Sequence, residues 1–279
     1  MEWERISVIV DMTETFVDPD GSFYCGTTPQ EKENAAAIAR LADWNLSCPD
    51  LHPMTSLEFE INGGLYPIHS VPRPEAIDLK KYGLQGKSIR PRLTRVLHDA
   101  IDRSRAGVYV PRQVYFQEPD GSLSYSPADV EVTFGLPIIT AERFLAEDFT
   151  YLIQPKYFFD ATRLSAGASS RRTTGEPRIP EVNENVFSLI KRKYRSDAGL
   201  AFFVPSVVEN ICTHHTAAGI RMEFPNARVI VPTDATTPLA GVGLGFERAA
   251  DVAAACRGLA LDIGIEYKST AEIVSEFSR

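Results

Sequence analysis

The sequence predicts an α/β fold, a mostly parallel sheet with helices layered against it. Three observations carry this. Short continuous apolar runs such as 6–10, 200–204 and 227–231 lack polar alternation, as strands buried on both faces do. Helical patterns fall between those runs. No repeat and no linker divides the 279 residues, so one domain over 1–279 is expected.

The first strand, 6–10, stops at Asp11. An amphipathic helix over 90–104 sets Leu93, Val96, Leu97 and Ile101 on one face. It leads into a second strand candidate, 107–116, which Pro111 shortens or bends. Further strands are read at 149–154, ending in Pro155 and Lys156, and at 200–204, 227–231 and 264–268. Helices are read at 158–165, 182–195, 210–221, 246–259 and 270–278. Two stretches break the alternation. Residues 24–88, rich in Pro, Gly and polar side chains, read as an insertion. Residues 117–146, with the turn signal EPDG at 118–121, read as a loop or hairpin insertion. Long irregular stretches of this kind serve as lids, binding loops or oligomer contacts. Residues 165–180 read as a mobile loop.

A net charge of −8 argues against a nucleic-acid partner, which needs a basic face. No apolar run is long enough to span a membrane. The charged start, MEWER, passes directly into a strand, so a cytoplasmic location is expected. Four cysteines without a CxxC pair fit reduced thiols better than a disulfide framework or zinc knuckle.

In an open parallel sheet, ligands gather beyond the carboxyl ends of the strands. Asp11, Lys156 and Cys212 each stand at or just after such an end. If those strands are neighbours, a carboxylate, an ammonium and a thiol meet in one crevice. The lysine then stabilises thiolate and the carboxylate shuttles its proton. A thiol at a helix start also feels unpaired N–H groups and the positive end of the dipole, which favour thiolate. Each residue has a plainer reading: Asp11 as a turn residue, Lys156 as a solvated surface charge, Cys212 as a small buried hydrophobe. Their joint placement is what those readings do not produce.

The order Asp, Lys, Cys resembles the isochorismatase-like cysteine hydrolases, which include nicotinamidases and other small-amide hydrolases. The segment VIVDMTETFVDPDG (8–21) is similar to the family opening: apolar strand, Asp, a Phe five residues on, then Gly. Thr13 stands where many members have Gln. KYFFDAT (156–162) resembles the lysine segment. VVENIC (207–212), with Thr216, Ala217 and VPTDAT (231–236), resembles the nucleophile segment and the strand after it. The likeness covers 5–22, 90–116 and 149–270.

The resemblance implies a doubly wound sheet with helices on both faces. It implies Asp11 as general base, Lys156 as electrostatic partner and Cys212 as nucleophile. It further implies a cis peptide before Val208 and an oxyanion hole made by the N–H groups of Val208 and Cys212. Phe16, Tyr157 and Phe158 are candidates to line a pocket for a planar substrate, and Arg171 and Arg172 to meet an anionic one. Gly241, Gly243 and Gly245 do not follow a strand and lack a dinucleotide pattern.

The thiol chemistry requires no cofactor. Asp50, His52 and His69 nonetheless look like the ligands that hold a divalent metal, zinc or iron, in nicotinamidases, and Glu58 is placed to join them. Against this, 42–49 is a poor strand. With 107–116 as the second strand, the two histidines become incidental to an insertion.

The expected activity is hydrolysis of a C–N bond in a small amide or ureide through a Cys212 thioester. An isochorismatase-type vinyl-ether hydrolase is the alternative enzyme, although that chemistry is associated with a small residue at the Cys212 position. A catalytically idle binding protein is the alternative from another class. The expected partners are a small-molecule amide and further copies of the chain, with no nucleic acid and no membrane.

Overall fold

A computed structural model describes residues 3–56, 58–110, 126–156, 161–162, 185–239 and 249–278. The first strand, β1 (Glu4–Val10), has its last five residues buried, as a strand covered on both faces must. After a single turn, α1 (Glu14–Val17), comes α2 (Pro29–Leu41). Thr28 caps α2: its side chain accepts from the Glu31 amide, the Glu31 carboxylate accepts from the Thr28 amide, and Pro29 occupies the first turn. β2 (Trp44–Cys48) follows, buried throughout and parallel to β1 in the register Val8–Leu46 and Val10–Cys48.

This corrects the reading of 24–88 as an insertion. Residues 29–48 belong to the α/β alternation, and β2, not 107–116, is the second strand. Asn45 and Ser47 hid it by breaking the apolar run. Asn45 is accommodated because its Nδ2 donates to the Ala39 carbonyl at 3.1 Å. The irregular stretch starts only after β2. It carries short 3₁₀ turns at Glu60–Asn62, Pro74–Ala76 and Leu79–Tyr82, and closes over its own apolar cluster of Phe59, Ile68, Val71 and Ile89.

The helix expected over 90–104 is shorter, α3 (Arg95–Ala100), because Leu93 is held in an antiparallel bridge to Thr13 and Ile101 is extended. β3 (Ala106–Tyr109) follows. Residues 126–146 are not a hairpin. They form α4 (Pro127–Phe134), capped by Ser126 and Asp129, then β4 (Ile138–Ile139) and α5 (Ala141–Ala146). Next come β5 (Tyr151–Ile153), α6 (Val186–Lys193), β6 (Leu200–Phe203) and β7 (Ser206–Val207). A π-helical turn, Glu209–Thr213, runs into α7 (His214–Glu223). The chain ends with β8 (Arg228–Pro232), β9 (Thr236–Thr237), α8 (Ala249–Asp262), β10 (Glu266–Lys268) and α9 (Thr270–Phe277). The predicted helix 158–165, the loop 165–180 and the glycines at 241–245 lie wholly or mostly outside the described residues.

The strands form one sheet in the order β10-β8-β6-β1-β2-β5-β3-β4, with β7 beside β1 and β9, and each ladder between them is parallel. Both faces are covered. Phe203 packs with Ile38, Ile230, Ile273 and Phe277, while its neighbour Phe202 belongs to the larger cluster with Ile220, Phe224 and Val229. The order leaves β1 in both directions, β2 on one side and β6 on the other, so the crevice at this reversal is the expected ligand site. No helix among the described residues is long and apolar enough to cross a membrane.

Candidate active site

Four chain segments meet at the carboxyl edge of the sheet. Asp11 follows β1 in the left-handed region, φ 56°, which Asp tolerates better than most side chains. The β2–β5 pairing continues past both strand ends as a parallel bridge between Asp50 and Lys156, with the Lys156 amide donating to the Pro49 carbonyl at 2.9 Å. The fourth segment leaves β7 through Val208, φ 59° and ψ 59°, and enters the π-helical turn that carries Cys212. Non-glycine residues in this conformation are strained and gather at functional sites, as π-helical turns do.

The structure brings Asp11, Lys156 and Cys212 together. Lys156 Nζ lies 2.8 Å from Asp11 Oδ2 and 3.7 Å from Cys212 Sγ. It also pairs with Asp50 Oδ1. Asp11 Oδ1 accepts from the Asp50 amide at 2.9 Å, which fixes the carboxylate plane. All four side chains are buried.

Burial first, and then the Asp50 charge, push Asp11 up to about 6 against the pull of Lys156. Burial opposes the Asp50 charge too, but Lys156 and the imidazoles outweigh it and hold this carboxyl well below its usual range. Burial likewise opposes the Lys156 charge, yet Asp11 and Asp50 keep the ammonium protonated far above its ordinary range. Cys212 goes the other way from the thiolate expectation. Burial, reinforced by Asp11 and Asp50, raises the thiol well above its usual value despite Lys156. The resting pair at neutral pH is therefore a thiol beside an ionised carboxylate.

Asp50, His52 and His69 form a second, contiguous cluster whose ligand atoms lie within 4.8 Å of one another. Glu58 joins it, with Oε1 at 3.2 Å from His69 Nε2 and 3.8 Å from His52 Nε2. His69 Nδ1 sits 2.7 Å from the Pro67 carbonyl, the partner that fixes the proton there and turns Nε2 towards the cluster. The histidines are thus not incidental: the Asp50–His52 segment follows a central strand. The donor set fits a divalent cation, two imidazoles and hard oxygens. The charge balance fits as well. Asp11, Asp50 and Glu58 are buried against one lysine, an excess of two negative charges if all are ionised and the imidazoles neutral.

A cavity is lined by residues of both clusters. Its lining includes Asp11, Asp50, Glu58, Val208, Ile211 and Cys212, together with Phe16, Phe23, Tyr66 and His69, whose rings pack against one another. Phe16, one of the candidate pocket residues, is among those lining this cavity. Tyr157 and Phe158, like Arg171 and Arg172, fall outside the described residues. Phe23 and Tyr66 were not foreseen; their rings are 5.2 Å apart, and Phe23 is 5.1 Å from the His69 ring. Nothing in their local sequence separates them from ordinary core aromatics. Val208 lines the cavity with Cys212, but among the described residues no peptide bond is cis, so the cis peptide implied before Val208 is not there. The left-handed backbone at Val208 makes the turn instead. His214 is half-buried and His215 exposed on α7, as a contact or surface reading requires.

No family model matches this sequence, and no curated protein matches it. Solved structures do match in fold. PnC1 from L. infantum, in complex with nicotinate, is 14% identical with a TM-score of 0.52, over 96% of this chain and 93% of its own. An Acinetobacter baumanii nicotinamidase/pyrazinamidase is 12% identical with a TM-score of 0.55, over 98% and 99%. A cysteine hydrolase from Pseudomonas syringae pv. phaseolicola is 15% identical with a TM-score of 0.52, over 99% and 92%. The likeness spans the whole architecture on both sides. The chain shares the α/β fold of these nicotinamidases and of this cysteine hydrolase.

Proposed function

We propose that this chain is a cysteine hydrolase that cleaves the C–N bond of a small planar amide. One observation carries the reading: Lys156 Nζ stands 2.8 Å from Asp11 Oδ2 and 3.7 Å from Cys212 Sγ in a buried pocket. Asp11, ionised above about 6, takes the thiol proton. Lys156 holds the resulting thiolate while Sγ attacks the amide carbonyl carbon. The N–H groups of Val208 and Cys212 are assigned to the tetrahedral oxygen. Asp11 returns its proton to the leaving nitrogen, the C–N bond breaks, and ammonia or an amine departs from a Cys212 thioester. Water then gives a proton to Asp11 and attacks the thioester. The acid leaves, and Sγ recovers the proton.

The aromatic wall of Phe16, Phe23 and Tyr66 suits a flat substrate, and the nicotinamidases of the same fold point to primary amides of this shape. Asp50, His52, His69 and Glu58 would hold the divalent metal, zinc or iron, which supplies Lewis acidity for a substrate donor atom. His69 also packs against the aromatic wall, its ring centre 5.3 Å from Phe16 and 5.1 Å from Phe23.

The test is ammonia release from a panel of primary amides and ureides, nicotinamide included. The Cys212→Ala variant is expected to stay folded and release none. Release at the wild-type rate by that variant would remove Cys212 from the mechanism.

A further inference from the structure

We propose that Arg257 is a positioning residue for the nucleophile turn, acting through Glu209. The inference rests on Cys212 being the nucleophile and asks what holds it in place. The turn Glu209–Thr213 starts from a β-branched residue in the left-handed region and continues in π-helical geometry, neither of which the local chain favours by itself. Restraints from elsewhere in the fold are therefore required.

The structure supplies them on one side. The Glu209 side chain is 1% exposed, and its two oxygens accept from Arg257 Nε at 2.5 Å and Nη2 at 2.9 Å, a fork on a fork. Arg257 comes from α8, 48 residues along the chain, and its guanidinium lies 5.5 Å from the Tyr267 ring centre. The next residue of the turn is held too: Asn210 Oδ1 accepts from the Leu239 amide at 3.0 Å. Neither Glu209 nor Arg257 lines the cavity, whereas Ile211 and Cys212 of the turn and Val208 just before it do. The charged clamp thus grips the outer face of the turn whose inner face presents the thiol. Its effect on chemistry runs through the place of Sγ beside Asp11 and Lys156, not through substrate contact.

The probe is iodoacetamide. Modification rates of Cys212 and Cys25 are followed by mass spectrometry in the full-length protein, with thermal unfolding alongside. Wild-type Cys212, whose proton Asp11 is placed to accept during attack, is expected to react faster than Cys25, whose thiol burial pushes up to about 12 and which donates only to the Phe23 carbonyl; equal rates would sink the nucleophile reading itself. Arg257→Met is expected to slow Cys212 at least about tenfold and to lower the melting temperature, since Glu209 is left buried and unpaired. Arg257→Lys, which keeps the charge, is expected to recover most of the rate. The double variant Glu209→Gln/Arg257→Met removes the buried charge. It is expected to regain stability while Cys212 stays slow, which a purely structural ion pair does not produce. A double variant that labels at the wild-type rate, or a loss of rate shared equally by Cys25, would overturn the clamp while leaving the nucleophile in place. If Arg257→Met does not accumulate as folded protein, the double variant decides alone.

Discussion

Asp50 and Lys156 are joined twice, by a parallel backbone bridge beyond the ends of β2 and β5 and by a buried ion pair between their side chains. The bridge puts the two side chains at one register position, so the sheet itself brings them together. Lys156 then serves three partners, Asp50, Asp11 and the Cys212 sulfur. Asp50 in turn faces both Lys156 and His52, which links the thiol pocket to the candidate metal cluster.

Removing the lysine leaves two carboxylates buried without their cation. Lys156→Met is therefore expected to cost about 3–5 kcal/mol of stability in urea unfolding. Asp50→Asn/Lys156→Met is expected to cost clearly less than Lys156→Met alone, because one of the stranded charges is gone. Additive costs in that cycle would show that Asp50 and Lys156 do not depend on each other.

The pH dependence follows from Asp11. Its carboxyl is raised to about 6 by burial and by Asp50, and only the ionised form accepts the thiol proton. A raised carboxyl pKa means that acid inactivates early. kcat/KM for amide hydrolysis is expected to fall as pH drops through about 6, while far-ultraviolet circular dichroism stays unchanged over the same range. Asp11→Asn should remove roughly 10²–10⁴ of the rate at every pH and abolish the inflection. An activity profile flat down to pH 4.5 would contradict the assignment of Asp11 as base.

Asp11, Lys156 and Cys212 were legible because strand ends in a parallel sheet share an edge, and each strand before them was apolar enough to recognise. The candidate metal cluster was half legible. Asp50, His52 and His69 stood out as ligand types, but β2 was masked by Asn45 and Ser47, which are buried against neighbouring structure and not exposed to water. Two signals would have corrected this: Thr28-Pro29 with Glu31, and Ser126-Pro127 with Asp129, are capping boxes that mark helix starts inside the two stretches read as insertions. Val208 was legible only as a family likeness, and its left-handed backbone was not. Phe23, Tyr66 and the Glu209–Arg257 pair depend on contacts between distant segments, which periodicity and spacing do not encode.

The cluster of Asp50, His52, Glu58 and His69 is expected to copurify with about one equivalent of zinc or iron in protein made without an affinity tag. Burial opposes the Glu58 charge, yet His52 and His69 hold its carboxyl below the usual range, so it is available as a ligand at neutral pH. His69→Ala should reduce the metal content sharply, and Glu58→Gln less so, by elemental analysis of dialysed protein. Wild-type protein refolded with zinc yet carrying none would remove the metal from the site.

Gly21 connects the backbone to the pocket wall. A Cβ built there would lie 2.3 Å from the Thr15 carbonyl oxygen and 2.6 Å from that of Glu14, both backbone atoms that a rotamer change does not relieve. The Phe23 amide donates to the same Thr15 carbonyl at 3.1 Å, and Phe16 and Phe23 pack with ring centres 5.4 Å apart. Gly21→Ala must push 21–23 away from α1 and shift both rings, which line the same cavity as Cys212. The expected cost is about 1–3 kcal/mol in urea unfolding, the range of an overpacked site. A rise in KM larger than the change in kcat is expected with it, since the wall and not the thiol is displaced. Gly199→Ala is the control: a Cβ there meets nothing within 4 Å, and stability should change by no more than about 0.5 kcal/mol. Equal stability of the two variants would mean that the α1 contact at Gly21 does not set the position of Phe23.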